Sequence, residues 1–555
     1  MQEALNLMVP LRDGARIAAD VYLPDGEGPF PVLVGISPYG KEIQALKVPP
    51  QPPTSPLYAR EIEAGDPQFL TDAGYVHVIA DDRGVGRSEG AYKGWMSTQE
   101  AEDGYDLVEW AAEQPWSNGR VGMVGVSYYG AIQLAVAALQ PPHLEAIMPW
   151  NAPADYYREG THHGGVLHTF FVPLLMIWIR ARMASDYVDG LSAEELREVT
   201  ERLAADPDLQ MYPLIWNIAV NPERLAPFFE ALAHDLDGPY YRERSAYSSY
   251  DKIKIPFYTS SGWWAFAHMH LRGAFRHYEE IEAPKKLYIE SRVEADAPMD
   301  QAYNEEVVRW YDHWLKDADT GIMDEPRVKV HVRGRGFREA ADWPLPGTEW
   351  EQFHLRRFGG LSREPEPVVG HPDVFTQQPV QEQTKISCAD YLTPALDAPL
   401  ELIGPASLTL HAAIDDTDTN WMVALLDVAP DGSEVEMTRG FLKASHRALD
   451  EERSRPWRPY HRHTSAEPVP AGEVVEYRIE LSPLAAVFAP GHRLKLSISS
   501  ADHPAWPPAD PELGEGHQPW HVCRNAVVTH TIHHEPSRPS HLLLPIAPRP
   551  EQETT

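Results

Sequence analysis

The residues with the clearest chemical signature surround Ser127. The segment 125–130 reads Gly-Val-Ser-Tyr-Tyr-Gly, follows an apolar, β-branched run and precedes a helical pattern at 129–139. A serine on a tight turn between a strand and a helix is typical of a nucleophile, because the helix N-terminus offers N–H groups to a developing oxyanion. A glycine-rich turn that merely contains serine is the alternative. The two flanking elements favour the nucleophile, although the second glycine stands one position later than in Gly-x-Ser-x-Gly.

The elements around this turn predict a sheet with crossover helices. Short β-branched runs at 31–37, 75–80 and 121–126 have the length of buried strands, and 99–113 has helical periodicity. Strands that alternate with helices are typical of a parallel sheet covered on both faces. The sequence therefore predicts an α/β fold with Ser127 at the end of a strand.

Two later regions differ from this pattern. Between about 154 and 250 the strand signals fade and amphipathic helices such as 193–205 are predicted, before strand-like runs resume at 255–259. This insertion interrupts the sheet, so we expect it to cap the sheet. After about 327, short alternating segments separated by turns predict a β sandwich or jelly roll. The predicted boundaries are 1–153 and 251–378 for the α/β core, 154–250 for the helical cap and 379–555 for the β jelly roll.

The composition excludes several classes of partner. The 48 basic and 82 acidic residues give a net charge of −34, which repels phosphate backbones and anionic membrane surfaces. We therefore expect neither nucleic acid nor a membrane as a partner, and a homodimer is left open. The start lacks a basic-then-apolar signal pattern, which predicts a cytoplasmic protein.

No metal and no cofactor are expected. The two cysteines, Cys388 and Cys523, cannot build a disulfide framework or a cysteine-based zinc site. The histidines at 461, 463, 533 and 534 lack the spacing and supporting ligands of a known metal site.

Motifs along nearly the whole chain resemble those of the cocaine esterase and X-Pro dipeptidyl-peptidase-like (CocE/NonD) acyl hydrolases. The matching segments are 37–41 (Ser-Pro-Tyr-Gly-Lys), 82–90 (Asp-Arg-Gly-Val-Gly-Arg-Ser-Glu-Gly), 114–122, the turn at Ser127, 310–316, 427–432 and 491–494. The resemblance implies an α/β-hydrolase core with a helical cap insertion and a C-terminal β jelly-roll domain. This fold agrees with the strands and helices that the sequence pattern alone predicts.

The resemblance carries three residues over to this chain. It implies Ser127 as the nucleophile, the backbone N–H of Tyr128 as one oxyanion donor and the hydroxyl of Tyr39 as the other. A phenol is a suitable donor because it is neutral at pH 7. Asp82 and Arg83 are expected to pair with each other and hold their loop.

The other two members of the family's catalytic triad are not matched. The family acid usually follows Gly-Trp-x after a late strand, but here Gly-Trp-Trp at 262–264 leads into Ala265. The family histidine usually follows the next strand, but here 290–294 reads Glu-Ser-Arg-Val-Glu. Without a base, turnover at a serine is expected to fall by orders of magnitude.

Three replacements for the base are considered. His270 lies early in the helix after the altered acid position, and His163 lies at the start of the cap, where substrate selection is the commoner role. Glu294, or nearby Glu290, stands close to the expected histidine, but a carboxylate needs a pKa raised by burial to act as a base. A satisfied histidine or a solvated glutamate is the ordinary alternative for each.

The predicted function is therefore a serine-dependent acyl hydrolase of a small ester or amide that forms an acyl-enzyme and uses a non-standard base. The alternative is a ligand-binding or altered-chemistry homologue without a working triad. The residues expected to bind the substrate are His163, Trp263 and Trp264, with core packing as an equal alternative for the two tryptophans.

Overall fold

A computed structural model of the protein describes residues 1–44, 63–169, 171–183, 191–263, 267–290, 301–379, 386–502 and 521–549. The first 147 residues alternate strands and helices, as predicted. These elements are β1 (Gln2–Pro10), β2 (Arg16–Leu23), β3 (Phe30–Ser37), α1 (Lys41–Gln44), α2 (Pro67–Asp72), β4 (Val76–Asp81), α3 (Thr98–Ala112), β5 (Ser117–Met123), α4 (Tyr128–Ala138) and β6 (Leu144–Ile147).

The insertion is largely helical. It begins with a π-helical segment, Tyr156–Thr161, and a short hairpin, and then continues through helices joined by 3₁₀ turns. Its elements are β7 (His162–His163), β8 (Val166–Leu167), α5 (Phe171–Arg180), α6 (Ala193–Ala205), α7 (Pro213–Val220), α8 (Ala226–Ala233) and α9 (Pro239–Glu243). The amphipathic helix predicted at 193–205 is α6, which starts with a capping box between Ser192 and Glu195.

The sheet is completed after the insertion by β9 (Phe257–Gly262), α10 (Ala267–Glu280), β10 (Lys285–Glu290), α11 (Gln301–Leu315), β11 (Val328–Val332) and β12 (Gly336–Ala340). The strand order is β1-β2-β4-β3-β5-β6-β9-β10-β11-β12; the strands from β4 to β11 in this order are parallel to one another, and β2 and β12 flank them in antiparallel pairs. The carboxyl ends of parallel strands meet at one edge of a sheet, where binding crevices form. Ser127 lies at that edge, in the turn between β5 and α4.

A second sheet contains the remaining strands: β13 (Glu349–Arg356), β14 (Gly360–Ser362), β15 (Asp373–Gln377), β16 (Cys388–Leu392), β17 (Leu400–Ile414), β18 (Asn420–Val428), β19 (Glu434–Lys443), β20 (Val475–Phe488), β21 (Arg493–Ser499), β22 (Val528–His533) and β23 (His541–Ile546). β23 pairs with both β13 and β17, so the sheet closes on itself as a jelly roll does. The chain changes sheets between β12 and β13, well before 379. The domain boundaries as a whole stay a prediction.

Candidate active site

Ser127 occupies a strained turn between β5 and α4. Its backbone angles are φ 59° and ψ −113°, in a region that costs a non-glycine residue about 1–3 kcal/mol and persists only where its surroundings impose it. The N–H of Ser127 donates to the Trp150 carbonyl at 2.9 Å, and the N–H of Val126 donates to the Glu63 carbonyl at 2.8 Å. The turn thus holds the serine in the position expected of a nucleophile.

Two glycines make room for this turn. A Cβ atom at Gly125 would lie 2.3 Å from Cβ of Tyr129, and one at Gly130 would lie 2.5 Å from the carbonyl oxygen of Trp150. Gly130 therefore lets α4 approach the chain after β6 closely. The ring of Tyr129 instead packs over Gly35, where an added Cβ would lie 3.1 Å from it. Position 129 thus accommodates a tyrosine, and the close approach that requires a glycine falls at position 130.

His270 is the base candidate that the structure brings to Ser127. Its Nε2 lies 3.2 Å from Ser127 Oγ, within hydrogen-bond reach. His270 projects from the first turn of α10, and both side chains are less than 10% exposed. Burial lowers the pKa of His270 to about 4. The ring is therefore neutral at pH 7, and a neutral imidazole can accept the serine proton.

Tyr39 approaches the same serine from the loop after β3. Its side chain interacts with that of Ser127, and burial holds the pKa of Tyr39 well above its ordinary value. The phenol is thus a neutral donor beside the nucleophile. Its ring centroid lies 5.5 Å from that of Tyr128 and 5.0 Å from that of Trp178, so its ring packs against aromatic side chains.

Tyr128 is the first residue of α4, and the N–H groups of a first helical turn have no acceptor within the helix. Ser127 precedes it as N-cap without a capping hydrogen bond from its side chain. The N–H of Tyr128 can therefore serve an oxyanion on Ser127. Its hydroxyl points elsewhere, donating to the Glu100 carboxylate and lying 3.1 Å from the hydroxyl of Tyr92.

Arg83 does not pair with Asp82. Its Nε and Nη2 donate to Asp103 at 2.8 and 2.6 Å, and its Nη1 donates to Asp13 at 2.5 Å. The expectation of an Asp82–Arg83 pair is wrong, because Asp82 turns into the interior beside Glu100 whereas Arg83 lies against α3 and the β1–β2 turn.

His163 is fully engaged within the protein. Its Nδ1 lies 2.8 Å from His521 Nε2, and its Nε2 lies 3.0 Å from the Glu159 carbonyl oxygen. His521 in turn bonds Asp502 at 2.7 Å. These contacts join the cap to the jelly roll, so the structure brings His270 to Ser127 and leaves His163 in a junction between domains.

Trp263 and Glu290 lie at the ends of β9 and β10. The Trp263 indole donates to the His331 carbonyl at 2.8 Å and its ring lies 6.1 Å from Phe275, which is the arrangement of core packing. A substrate-binding role for Trp263 stays a prediction. Glu290 ends β10 beside Gly262, whose added Cβ would lie 3.1 Å from Glu290 Cγ. Trp264 and Glu294 lie outside the described residues.

Sequence reasoning missed two neighbours of the oxyanion hole. Trp178, on α5, has no local signal that would link it to Tyr39. Glu100 had a local signal in the sequence, because Ser97 and Glu100 form the Ser-x-x-Glu capping box that starts α3. That pattern identifies a helix start and does not reveal that the same carboxylate also accepts from Tyr128.

Comparison with known proteins matches most of the chain to two family models. The family model for X-Pro dipeptidyl-peptidase (S15 family) matches residues 13–292, half of the chain, and that for the X-Pro dipeptidyl-peptidase C-terminal non-catalytic domain matches residues 320–543. The chain belongs to the S15 family. The resemblance read from the sequence motifs is thereby confirmed.

Relatives within this family carry two kinds of name. Cocaine esterase from Rhodococcus sp. is 26% identical over 98% of this chain and 99% of its own. A putative Xaa-Pro dipeptidyl-peptidase from Bacillus cereus is 20% identical over 85% of this chain and 80% of its own. The crystal structure of a CocE/NonD family hydrolase from Staphylococcus aureus superposes with a TM-score of 0.79 at 25% identity, covering 98% of this chain and 94% of that one.

These relatives support a serine hydrolase with an α/β-hydrolase core and a C-terminal jelly roll. The predicted fold class is confirmed. Within the described ranges, no helix combines the length and the apolar character needed to cross a bilayer.

Proposed function

We propose that the chain hydrolyses a small ester or amide through an acyl-enzyme on Ser127, with His270 as the base. The observation that carries this proposal is the 3.2 Å distance between Ser127 Oγ and His270 Nε2 beside the Tyr39 hydroxyl. A nucleophile within reach of a neutral imidazole, next to a neutral donor, is the arrangement that acyl transfer requires.

Acylation would begin with attack of Ser127 Oγ on the substrate carbonyl carbon while His270 Nε2 takes the serine proton. The carbonyl oxygen gains the negative charge and accepts hydrogen bonds from the Tyr39 hydroxyl and the Tyr128 N–H. The tetrahedral intermediate then collapses, and the imidazolium returns the proton to the leaving alcohol or amine. Water, deprotonated by His270, attacks the acyl-enzyme in the second half, which releases the acid and restores Ser127.

The proposed base comes from a different element than the family pattern leads one to expect. The family histidine follows the strand equivalent to β10, whereas His270 follows β9 and stands five residues after Ala265, which replaces the family acid. A serine and histidine acting without the usual aspartate would be slower than a full triad. Glu294 remains a second candidate to supply or support the base.

Covalent labelling with a fluorophosphonate, followed by intact mass over time at pH 7.5, tests the assignment because the probe reacts with an activated serine. We expect one adduct on the wild type and none on Ser127→Ala. His270→Gln should lower the labelling rate by about 10²–10⁴-fold, the contribution of a positioned base. Glu294→Gln is measured alongside.

The matched control is His277→Gln, on the same helix. His277 is also buried, but its Nδ1 lies 3.3 Å from Thr259 Oγ1 and not near Ser127. Near-wild-type labelling of folded His277→Gln, with loss in His270→Gln, supports the proposal. Equal rates in folded His270→Gln and wild type would overturn the base assignment. A folded wild type that does not label would favour the ligand-binding alternative.

A second experiment tests whether the chain acts on esters or on peptides. Relatives are named as an esterase and as Xaa-Pro dipeptidyl-peptidases. Turnover of p-nitrophenyl esters and of an Xaa-Pro p-nitroanilide, each with Ser127→Ala as the blank, would decide which leaving group the site accepts. We expect the ester to be the better substrate, because an alkoxide or phenolate is a better leaving group than an amide anion, and an amine must be protonated before it can leave.

A further inference from the structure

Arg182 brings an unpaired positive charge to the edge of the sheet that carries Ser127. Acidic residues outnumber basic ones 82 to 48 in the chain, yet no ion pair or hydrogen bond within the described residues engages the Arg182 guanidinium. The side chain is partly buried, and its Nε is fully buried without an acceptor. A charge that loses water is normally compensated by a partner. Arg182 therefore has its donors available for an anionic ligand.

The position of Arg182 is fixed by two loops at the carboxyl ends of the strands. Its carbonyl oxygen accepts from the N–H of Gly86, in the loop after β4, at 3.1 Å. A Cβ atom at Gly40, in the loop after β3, would lie 3.3 Å from Arg182 Nε. Gly40 has φ +88°, and the absence of a side chain permits this close approach. The guanidinium thus lies against the residue that follows Tyr39.

Aromatic rings connect Arg182 to the oxyanion hole. The guanidinium carbon lies 4.2 Å from the ring centroid of Trp178, whose ring lies 5.0 Å from that of Tyr39. Tyr39 in turn packs against Tyr128 at 5.5 Å. The cation–π contact with Trp178 fixes the arginine but gives its N–H groups no oxygen acceptor. These rings form a continuous apolar surface between the oxyanion donors and the positive charge.

The two carboxylates that act on Arg182 from a distance bind other groups. Asp81 accepts from the N–H of Lys41 at 2.7 Å, and Glu42 pairs with Lys41 at 3.1 Å and with Arg87 at 3.2 Å. Burial lowers the pKa of Arg182 more than these two charges raise it, although an arginine stays protonated in proteins. The charge is therefore partly desolvated and is not offset within the described part of the chain.

The strand order shows on which side of Ser127 this charge lies. β4 and β3 lie on one side of β5, and β6 and β9 lie on the other. Arg182 contacts the loops after β3 and β4, whereas His270 comes from the helix after β9. The leaving group must lie beside His270 to receive the proton. The acyl chain, on the other side of the scissile carbonyl, therefore extends towards Arg182.

We infer that Arg182 binds a carboxylate at the far end of the acyl chain, so that the preferred substrates are half-esters of dicarboxylic acids. The guanidinium fork matches a carboxylate with two parallel hydrogen bonds, and one arginine balances its single charge. The methylene groups between the two carbonyls would lie along Tyr39 and Trp178. This inference rests on the proposed acyl transfer at Ser127 and adds its substrate class.

The test compares the monoethyl esters of succinate, glutarate and adipate with ethyl butanoate, pentanoate and hexanoate, neutral esters of equal acyl carbon number. Hydrolysis is followed in a pH-stat at pH 7.5, with Ser127→Ala as the blank. The net charge of −34 repels anionic substrates, so a preference for them requires a local positive charge. We expect kcat/KM to be at least about tenfold higher for the best half-ester than for its neutral counterpart, the worth of one hydrogen bond to a charged group.

Arg182→Gln should raise the KM of the best half-ester about 10–100-fold, the range for hydrogen bonds to a charged group. Its kcat should change little, because the distal carboxylate is bound alike in the ground state and the transition state. Both constants for the neutral ester should stay near wild type. Arg182→Lys keeps the charge and loses the fork, so we expect an intermediate KM.

Arg87→Gln is the matched control. It removes the same charge from the loop after β4, but the Arg87 side chain is 65% exposed and pairs with Glu42. We expect near-wild-type kinetics. A wild type that prefers no half-ester, or equal losses in folded Arg87→Gln and Arg182→Gln, would overturn the inference, while Ser127-dependent hydrolysis or labelling still supported the proposed function. A folded wild type that neither hydrolyses these esters nor labels with fluorophosphonate would overturn both.

Discussion

The two halves of the candidate active site are built in different ways. The nucleophile half consists of backbone: the strained Ser127, the N–H of Tyr128 and the glycines that let α4 approach the chain after β6. The base half depends on a side-chain contact, from His270 Nε2 to Ser127 Oγ. Backbone geometry of this kind tolerates little change. A side chain that contacts Ser127, in contrast, can come from another element of the fold.

The sheet shows why the base can change its element of origin. β9 and β10 are parallel and in register, with Gly262 opposite Glu290 at their carboxyl ends. The family acid and histidine follow these two neighbouring strands, so residues after either strand reach the same edge of the sheet. A histidine on the helix after β9 can therefore approach Ser127 although the loop after β10 has lost its own.

The largest expected effect is in the nucleophile half, from Gly125→Ala. The added Cβ would meet Cβ of Tyr129 at 2.3 Å and the Glu63 carbonyl oxygen at 2.6 Å, at φ +135°. We expect loss of labelling and a fall of about 4 kcal/mol or more in the free energy of unfolding, the range of severe core clashes. Urea unfolding and fluorophosphonate labelling check this.

Gly26→Ala is the control for backbone strain alone. Gly26 has φ +122° with no atom within 4 Å of an added Cβ, so only the strain of about 1–3 kcal/mol applies. If Gly125→Ala were no worse than Gly26→Ala and labelled normally, the nucleophile half would be less constrained than we conclude.

The next largest effect is expected in the base half, as a fall of the labelling rate at acid pH. With a pKa of about 4, His270 is neutral and able to accept a proton at pH 5–7. Below pH 4 we expect the labelling rate to fall about tenfold per pH unit as the imidazole becomes protonated. Short labelling pulses, corrected for the folded fraction by circular dichroism, measure this limb.

That correction is needed because stability falls over the same interval. The unfolded histidine has a pKa near 6.5, above the folded value, so the unfolded state binds the extra proton first as the pH drops from about 6.5 to 4. Stability supplied by the neutral buried ring is thus present above about pH 6.5 and is lost towards pH 4. A labelling midpoint near 6.5 in fully folded protein would show that the base is a solvated group and not buried His270.

The same contrast explains what could be predicted from the sequence. Ser127 and Tyr39 lie in short motifs, because a strained turn and a fixed loop need particular neighbours along the chain. The α/β alternation and the later β segments predicted the sheets for the same local reason. His270 could only be considered among candidates, since its contact with Ser127 spans 143 positions along the chain.

Buried polar partners were the least predictable feature. Asp82 and Arg83 are adjacent in sequence and opposite in charge, yet Arg83 pairs with Asp103 on α3, and the buried Asp82 carboxyl accepts from no donor among the described residues. Sequence adjacency does not reveal which side chain enters the interior. Glu100 shows the same limit, because its capping box is a local pattern and its bond to Tyr128 is a tertiary contact.

A smaller effect is expected in the base half from Trp263→Phe. The change keeps an aromatic ring near Phe275 and removes the indole donor to the His331 carbonyl. We expect a loss of about 1 kcal/mol in unfolding free energy, the net worth of one hydrogen bond, with labelling unchanged. Substrate KM is the deciding measurement. An increase in KM with unchanged stability would assign Trp263 to substrate binding instead of core packing.

The smallest effect is expected from Gly262→Ala, the counterpart of Gly125→Ala in the other half. The added Cβ would lie 3.1 Å from Cγ of Glu290, a flexible side chain that can yield, and Gly262 has no positive φ to strain. A more restricted unfolded chain offsets the contact, so we expect a stability change within about 1 kcal/mol of zero and normal labelling. If this variant instead lost labelling while remaining folded, the end of β9 would position the base as tightly as the turn positions Ser127. The base half would then also depend on backbone geometry, and His270 could not be regarded as an exchangeable side chain.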